Sequence, residues 1–257
     1  MRNVILLLTG ALVVMSPIVQ AEEESPHSFT ANVALSTDYR FRGITQTTED
    51  PALSGGFDYA YLSSAFPVGI FLGVWASNID FNEGSLGVSD TADLEIDFYG
   101  GFTGTFPIGN GVGWKIGGLY YAYPGSDTSP ALTVDYDYAE AYGVLSYDFG
   151  IFNVAGSLYY SPDYFAETDD GIYYSGDVGV PLPYEFTLSG HVGYQEIDNN
   201  AGFGTPDYTD WMVSLAKSWN IFTFKLAYID TDIDDAECFG GTDFCDGTGV
   251  FTVSSSF

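Results

Sequence analysis

Eight ionisable residues have the types and spacing to form a charged lining: Arg40, Arg42, Glu95, Asp97, Lys115, Glu140, His191 and Lys225. Each lies on the polar side of a segment in which polar and apolar residues alternate. Rings of charge on one shared surface can select ions at close range. The same residues can instead form ion pairs that bridge strands and fill an interior. We favour pairing for most of them, because the few cations are surrounded by many carboxylates.

Catalytic chemistry has little support in the sequence. The two histidines are His27 and His191, and His191 stands two residues from Ser189. Side chains two positions apart on a strand share a face, but they lie too far apart for the hydrogen bond that activates a serine. The GxSxG motif of α/β-hydrolases does not occur in the chain. We therefore predict no enzymatic activity and no cofactor.

The two cysteines, Cys238 and Cys245, lie in one acidic segment near the end of the chain. In an exported protein this pair is expected to form a disulfide. The carboxylates of the segment include four weak candidates for metal ligands, which are Asp232, Asp234, Asp235 and Asp243. Oxygen-rich clusters suit Ca²⁺, but the spacing matches no EF-hand loop. A solvated acidic loop is therefore the preferred interpretation.

The composition excludes two classes of protein. The chain has 257 residues, with 6 Lys+Arg against 35 Asp+Glu, which gives a formal net charge of −29. A nucleic-acid-binding protein needs basic patches that six cations cannot build. A disordered acidic chain would have few aromatic residues, whereas this one has 20 Tyr and 20 Phe. Acidity combined with many aromatic residues and 31 Gly favours an all-β protein.

The first 21 residues have the pattern of a secretory signal peptide. Arg2 precedes an apolar run, and Val19-Gln20-Ala21 places small residues where a signal peptidase cleaves. Pro17 interrupts the run before it reaches the roughly 20 apolar residues of a membrane anchor. We therefore expect a cleaved peptide at 1–21, a short periplasmic stretch at 22–28, and one barrel domain at 29–257.

From Phe29 onward, apolar and polar residues alternate with the period of two that β-strands require. This alternation predicts twelve strands, near 29–43, 52–63, 69–80, 93–106, 112–123, 134–148, 151–161, 171–181, 184–196, 207–218, 221–230 and 249–257. The connections alternate between short turns and long polar loops. Short and long connections in strict alternation, with an even strand count, are typical of a transmembrane up-and-down β-barrel. A soluble β-sandwich or jelly roll is the alternative.

In such a barrel, alternate residues of each strand face lipid and the residues between them face the lumen. The apolar set faces lipid, and the other set, which shares the opposite parity, faces the lumen. The eight residues named above then point inward, together with Asp58, Asp80, Asp148, Asp177, Glu185 and Asp210. A lipid-facing Arg or Lys at mid-depth costs about 2–4 kcal/mol, so this shared parity supports the topology. Lys217 alone among the cations falls on the lipid face. We also expect Arg40 or Arg42 to pair with Glu95 or Asp97.

Several short motifs resemble one family when they are taken in order. They are Tyr39-Arg40-Phe41-Arg42-Gly43-Ile44, Gly73-Val74-Trp75-Ala76-Ser77-Asn78-Ile79-Asp80, Glu95-Ile96-Asp97, Asp137-Tyr138-Ala139-Glu140 and the closing Phe257. Together they resemble the TorF or Gcw_chp family of outer-membrane porins. The resemblance covers the chain after its first 21 residues, and it implies an outer-membrane barrel without catalytic residues.

These observations predict a channel for passive diffusion of small hydrophilic solutes, with a preference for cations. The alternative is a closed structural or surface-interaction barrel whose acidic loops bind partners or divalent cations. We expect a bacterial outer membrane location with both termini in the periplasm. The expected partners are outer-membrane lipid, small solutes and, through the terminal Phe257, the barrel-assembly machinery. Nucleic acid is not among them.

Overall fold

The protein folds as a closed antiparallel β-barrel. A computed structural model describes residues 25–62, 67–81, 92–126 and 135–257. The described strands are β1 (His27–Ser36), β2 (Arg40–Phe41), β3 (Ile44–Thr45), β4 (Ala52–Tyr61), β5 (Val68–Asn78), β6 (Leu94–Phe106), β7 (Val112–Ala122), β8 (Tyr138–Asp148), β9 (Asn153–Ser161), β10 (Gly171–Leu182), β11 (Phe186–Ile197), β12 (Tyr208–Trp219), β13 (Phe222–Thr231) and β14 (Thr248–Ser256).

All of these strands except β2 and β3 belong to the barrel. Each barrel strand pairs with the next one along the chain, and β1 pairs with β14 to close the cylinder. The predicted up-and-down barrel of twelve strands is thereby confirmed, and most predicted strands agree with the structure to within two residues. β1 begins at His27, two residues before its predicted start. The predicted signal peptide, residues 1–21, lies outside the described residues.

The alternation of the sequence becomes an alternation between the interior and the outer surface. On β8, the side chains of Tyr138, Glu140 and Tyr142 are buried inside the barrel. Leu145, later on the same strand, is exposed on the outer surface. Large apolar side chains are exposed around the whole cylinder, among them Leu53, Leu72, Phe98, Phe102, Ile116, Leu158, Val192, Val213, Leu226 and Phe251. This apolar exterior around a polar interior is the pattern that a lipid bilayer stabilises.

Aromatic residues mark both ends of the outer surface on β12. Trp211 and Trp219 point outward from opposite ends of this strand, with exposures of 38% and 65%. Trp211 packs against Tyr228 of β13, with ring centroids 5.3 Å apart. Two outward-facing tryptophans at the ends of one strand match the two aromatic girdles that flank the apolar band of outer-membrane barrels.

The first predicted strand was too long, because the chain leaves the barrel wall after Ser36. Residues 40–45 form a small hairpin in which Arg40 pairs with Thr45 and Phe41 with Ile44. Its two-residue turn is Arg42-Gly43, with φ of 46° and 85°. Positive φ at both central residues is the geometry of a type I′ turn, which the right-handed twist of paired strands favours. The hairpin therefore carries Arg42 at its tip.

Glu185 does not point into the lumen, contrary to the prediction. It lies in the tight turn 183–185 between β10 and β11, where its side chain is exposed and pairs with Lys217 at 3.1 Å. The ring of Phe186 lies 5.2 Å from the Lys217 ammonium group. The turn takes these residues out of the strand, so the alternation no longer determines which way Glu185 faces. Within the described part of the chain, no helix has the length and apolar character needed to span a membrane.

Candidate functional site

The hairpin 40–45 places Arg42 inside the barrel, where the residue is 7% exposed. One terminal nitrogen of its guanidinium, Nη2, donates to both carboxylate oxygens of Glu140 at 2.7 and 2.8 Å. The other, Nη1, donates to Gln195 Oε1 at 2.7 Å. Arginine stays protonated in proteins, so this is a fully formed buried ion pair.

Arg42 reaches strands on the far side of the barrel. The hairpin leaves the wall between β1 and β4, whereas Glu140 lies on β8 and Gln195 on β11. Aromatic rings surround the guanidinium, with Cζ 4.3 Å from the Tyr173 ring centroid and 5.4 Å from that of Tyr159. The hairpin tip therefore crosses the lumen and is held by cation–π contacts as well as by charge.

Tyr164, in the loop between β9 and β10, completes this group. Arg42 Nη1 lies 3.5 Å from its hydroxyl oxygen. Burial raises the pKa of Tyr164 to about 12, against the opposing effect of Arg42. The phenol is therefore neutral at physiological pH.

Arg40 anchors the base of the hairpin. Its guanidinium pairs with Asp38 at 2.5 Å and with Glu49 at 2.9 Å. It also donates to the backbone carbonyls of Phe244 and Asp246 at 2.9 and 3.0 Å. Because those carbonyls belong to the last loop, Arg40 joins the first loop of the barrel to the last.

The predicted pairing of Arg40 or Arg42 with Glu95 or Asp97 is wrong. Glu95, only 1% exposed, accepts a hydrogen bond from the Tyr39 hydroxyl at 2.7 Å. Asp97 is also buried, and its Oδ1 has no hydrogen-bond partner among the described residues. Both carboxylates lie on β6, while the type I′ turn directs Arg42 to β8 and β11.

A second buried polar group surrounds His191. Its Nδ1 lies 2.8 Å from Asp177 Oδ1, and its Nε2 lies 3.1 Å from Asp210 Oδ1. The Tyr173 hydroxyl lies 2.8 Å from the same Nε2 and donates to Asp210 Oδ2 at 2.8 Å. Two carboxylates and a phenol thus fix the imidazole ring in place between β10 and β12.

The two inward lysines differ in their surroundings. Lys115 on β7 lies 5.4 Å from the ring centroid of Phe71, on the side of the barrel that also carries Asp58. Lys225 on β13 pairs across the sheet with Ala216 and Thr252, neither of which carries a charge. Neither ammonium group has a carboxylate within ion-pair distance among the described residues.

The interior has two unlike sides. The packed wall is the inward face of β6–β10, whose buried side chains include Glu95, Asp97, Tyr121, Tyr138, Glu140, Tyr142, Val144, Tyr159 and Tyr173. The open wall is the inward face of β1, β13 and β14, where Asn32, Ser36, Lys225, Thr252, Ser254 and Ser256 are partly exposed. A cavity of about 160 Å³ lies against the open wall. This cavity also reaches Tyr173 of the packed wall, so it occupies the space between the two walls.

The predicted disulfide is present, between Cys238 and Cys245 in the loop after β13. The four weak metal candidates, Asp232, Asp234, Asp235 and Asp243, all have exposed side chains in this loop. Among the described residues no group of three or more His, Cys, Asp or Glu is arranged to hold a metal ion. Desolvation raises the pKa of the neighbouring Asp246, and the charges of Asp235 and Asp243 raise it further.

The sequence predicts which strand residues share the inward side, but it does not identify the partners that these ionisable residues contact. Those partners are Asp38, Tyr39, Tyr164, Tyr173 and Gln195. The parity rule applied to all polar residues, rather than only to ionisable ones, would have found Gln195 and Tyr173. Tyr164 lies in a loop, where parity gives no signal.

Comparisons with known proteins agree with this fold. A family model described as "Bacterial protein of unknown function (Gcw_chp)" matches residues 20–257. The sequence matches none of the curated proteins.

Three solved structures are similar in fold. The COG4313 outer membrane channel from Pseudomonas putida F1 has a TM-score of 0.52 and 8% identity, covering 92% of this chain and 99% of that one. The NanC porin has a TM-score of 0.51 and 10% identity, covering 90% and 99%. The KdgM porin, in complex with disordered oligogalacturonate, has a TM-score of 0.50 and 6% identity, covering 89% and 98%. At these identities the likeness is one of fold.

Proposed function

The chain belongs to the Gcw_chp family, as its motifs predicted, and from this premise we propose that it is a narrow outer-membrane channel. Small hydrophilic solutes diffuse passively through it, and it catalyses no reaction. The observation that carries the proposal is the open wall, where small polar side chains border a cavity inside a closed barrel with an apolar exterior. The porin and channel names of the similar structures motivate the same function.

The bore is set by the hairpin 40–45. Arg42 spans the lumen to Glu140 and Gln195, so solutes pass beside this bridge rather than through the barrel centre. Inward elements that narrow a barrel leave only small solutes a path. The narrow bore therefore excludes large solutes by size, whatever their charge.

Cation preference follows from the charges at the long-loop end. The described loops there carry many carboxylates, which include Glu49, Asp50, Asp135, Asp163, Glu167, Asp169, Asp170, Asp198, Asp234, Asp235, Glu237 and Asp243. Arg40, the cation nearest to them, is already paired with Asp38 and Glu49. A mouth with one sign of charge concentrates counter-ions and repels co-ions.

The long loops face the cell exterior in this proposal, and both termini lie in the periplasm. Short turns on the periplasmic side and long external loops are the rule for outer-membrane barrels. Phe257 follows β14 directly. Its side chain is 70% exposed, and its backbone forms hydrogen bonds with that of Ala31. An exposed aromatic end of the closing strand is available to the barrel-assembly machinery.

A second candidate function is a closed structural barrel. It is favoured by the Arg42 network itself, because buried ion pairs and aromatic rings fill the packed wall. In that case neither ions nor solutes cross, and the acidic external loops bind partners or divalent cations.

Planar-bilayer recording separates the two candidates. For the channel we expect small, discrete KCl conductance steps and a cation-selective reversal potential that weakens as salt rises, since screening shortens the reach of the mouth charge. Arg42→Ala should enlarge the steps, while Lys217→Ala on the outer surface should leave them unchanged. Silent bilayers with confirmed insertion, for both wild type and Arg42→Ala, would establish the closed barrel instead.

A further inference from the structure

The cavity against the open wall is lined by residues of both charges. Its ionisable lining residues are Asp38, Arg40, Arg42, His191, Asp210 and Lys225. Carboxylates outside the lining also reach them, since Glu49 pairs with Arg40, Glu140 with Arg42 and Asp177 with His191. An anion from solution can therefore be held only by a lining cation that lacks such a carboxylate partner.

Lys225 differs from the other cations of this lining. Arg40 is paired with Asp38 and Glu49, and Arg42 with Glu140. Asp210 lies in the His191 group and accepts from the Tyr173 hydroxyl at 2.8 Å. The Lys225 ammonium group has neither an ion pair nor a hydrogen bond with any described residue. An anion that enters the cavity can therefore form a charge-assisted hydrogen bond with this ammonium group.

The other lining groups indicate what kind of anion fits. Hydroxyl and amide side chains border the same cavity, from Asn32, Ser36, Ser54, Thr252, Ser254 and Ser256. Each hydroxyl can both donate and accept a hydrogen bond. Met212, Ile229 and Val250 add an apolar patch suited to a short carbon chain. This combination matches a ligand with a carboxylate at one end and several hydroxyl groups along its length.

We propose that Lys225 and the hydroxyl groups around it bind the carboxylate of a small hydroxylated organic anion. The inference rests on the proposed channel function, for which it names a solute class. The cavity, about 160 Å³, is close to the roughly 150 Å³ of an engineered cavity that holds benzene. It therefore takes a compact molecule such as a hydroxy acid, and longer anions extend into the lumen.

The site and the acidic mouth act in opposite directions. The mouth carboxylates favour cations, but their field is screened over a Debye length of about 8 Å at physiological salt. Lys225 acts at contact distance inside the barrel, where screening is weaker. An organic anion that passes the mouth is thus held at Lys225 by its carboxylate.

Calorimetric titration of the detergent-solubilised protein with sodium gluconate tests the site directly. We expect wild type to bind gluconate, Lys225→Gln to bind it at least tenfold more weakly, and glucose to bind far more weakly than gluconate. Lys115→Gln removes the same charge from the lumen outside the cavity, so its gluconate affinity should stay within twofold of wild type. Absent gluconate binding, or equal binding by Lys225→Gln, would overturn the assignment.

A bilayer recording with added gluconate distinguishes failure of the site from failure of the channel. We expect gluconate to reduce the KCl current of wild type and to leave that of Lys225→Gln unchanged. A KCl current that gluconate does not reduce, together with no calorimetric binding, refutes the site and leaves the channel intact. Calorimetric binding without any KCl current upholds the site and refutes the channel.

Discussion

The packed wall and the open wall are built by the same strand alternation but do different things. On the packed wall, long aromatic and acidic side chains such as Tyr138 and Glu140 reach inward and bury one another. On the open wall, short residues such as Ser254 and Thr252 leave room for a cavity. The hairpin tip, with Arg42, spans the space between them. The position of a residue in the strand alternation therefore decides whether it faces the lumen, whereas side-chain length decides where the lumen remains open.

The largest expected effect comes from breaking the ion pair of the packed wall. Arg42→Met leaves the buried Glu140 carboxylate without its partner, which should lower the free energy of unfolding by about 3–5 kcal/mol. Denaturant unfolding in lipid vesicles measures this loss. The double variant Arg42→Met/Glu140→Gln should recover part of it, since no unpaired charge remains. Equal losses in the single and double variants would show that the pair is not coupled.

The His191 group, which Tyr173 connects to the packed wall, should be the next most sensitive. Tyr173→Phe removes the hydroxyl that donates to Asp210 and contacts His191. Hydrogen bonds to charged groups contribute about 1.5–3 kcal/mol, so we expect a loss of that size. Tyr142→Phe is a matched control, because it removes a hydroxyl from the same wall outside this group. An equally large loss of unfolding free energy in Tyr142→Phe would show that the hydrogen bonds of the His191 group are not the cause.

The turn that holds the hairpin is expected to tolerate no side chain at Gly43. A Cβ there would lie 2.5 Å from Thr231 Cγ2 and 2.9 Å from Asp210 Cβ, at a φ of 85°. Strain of this kind costs about 1–3 kcal/mol, so Gly43→Ala should be destabilised by that amount. Gly249→Ala, where a Cβ meets nothing within 4 Å, should show little change in the same unfolding experiment. Equal stability of the two variants would contradict the described turn.

The smallest effect on stability is expected on the open wall. Lys225→Gln removes a charge that has no partner among the described residues, so the free energy of unfolding should change by no more than about 0.5 kcal/mol. Its consequence should appear instead in ion selectivity, with a reversal potential shifted further toward cations. A loss approaching that of Arg42→Met would mean that Lys225 has a structural role.

Much of the barrel could be predicted from the sequence because alternation is a local property. Strand count, inward parity and the Cys238–Cys245 disulfide all follow from neighbouring residues. The hairpin does not, since Tyr39-Arg40-Phe41-Arg42 also alternates and has the pattern of a continuation of the first strand. Gly43 was the available signal for a turn. The pairing of Arg42 with Glu140 could not be predicted, because parity does not say which strands face each other across a closed cylinder.

Thiol labelling during bilayer recording tests most directly whether solutes pass along the open wall. The described cysteines are joined in a disulfide, so a new cysteine can be labelled selectively. We expect a cationic methanethiosulfonate reagent to reduce the current of Thr252→Cys. The current of Val144→Cys, buried in the packed wall, should not change. A reduced current for Val144→Cys with an unchanged current for Thr252→Cys would place the solute path along the packed wall and contradict passage along the open wall.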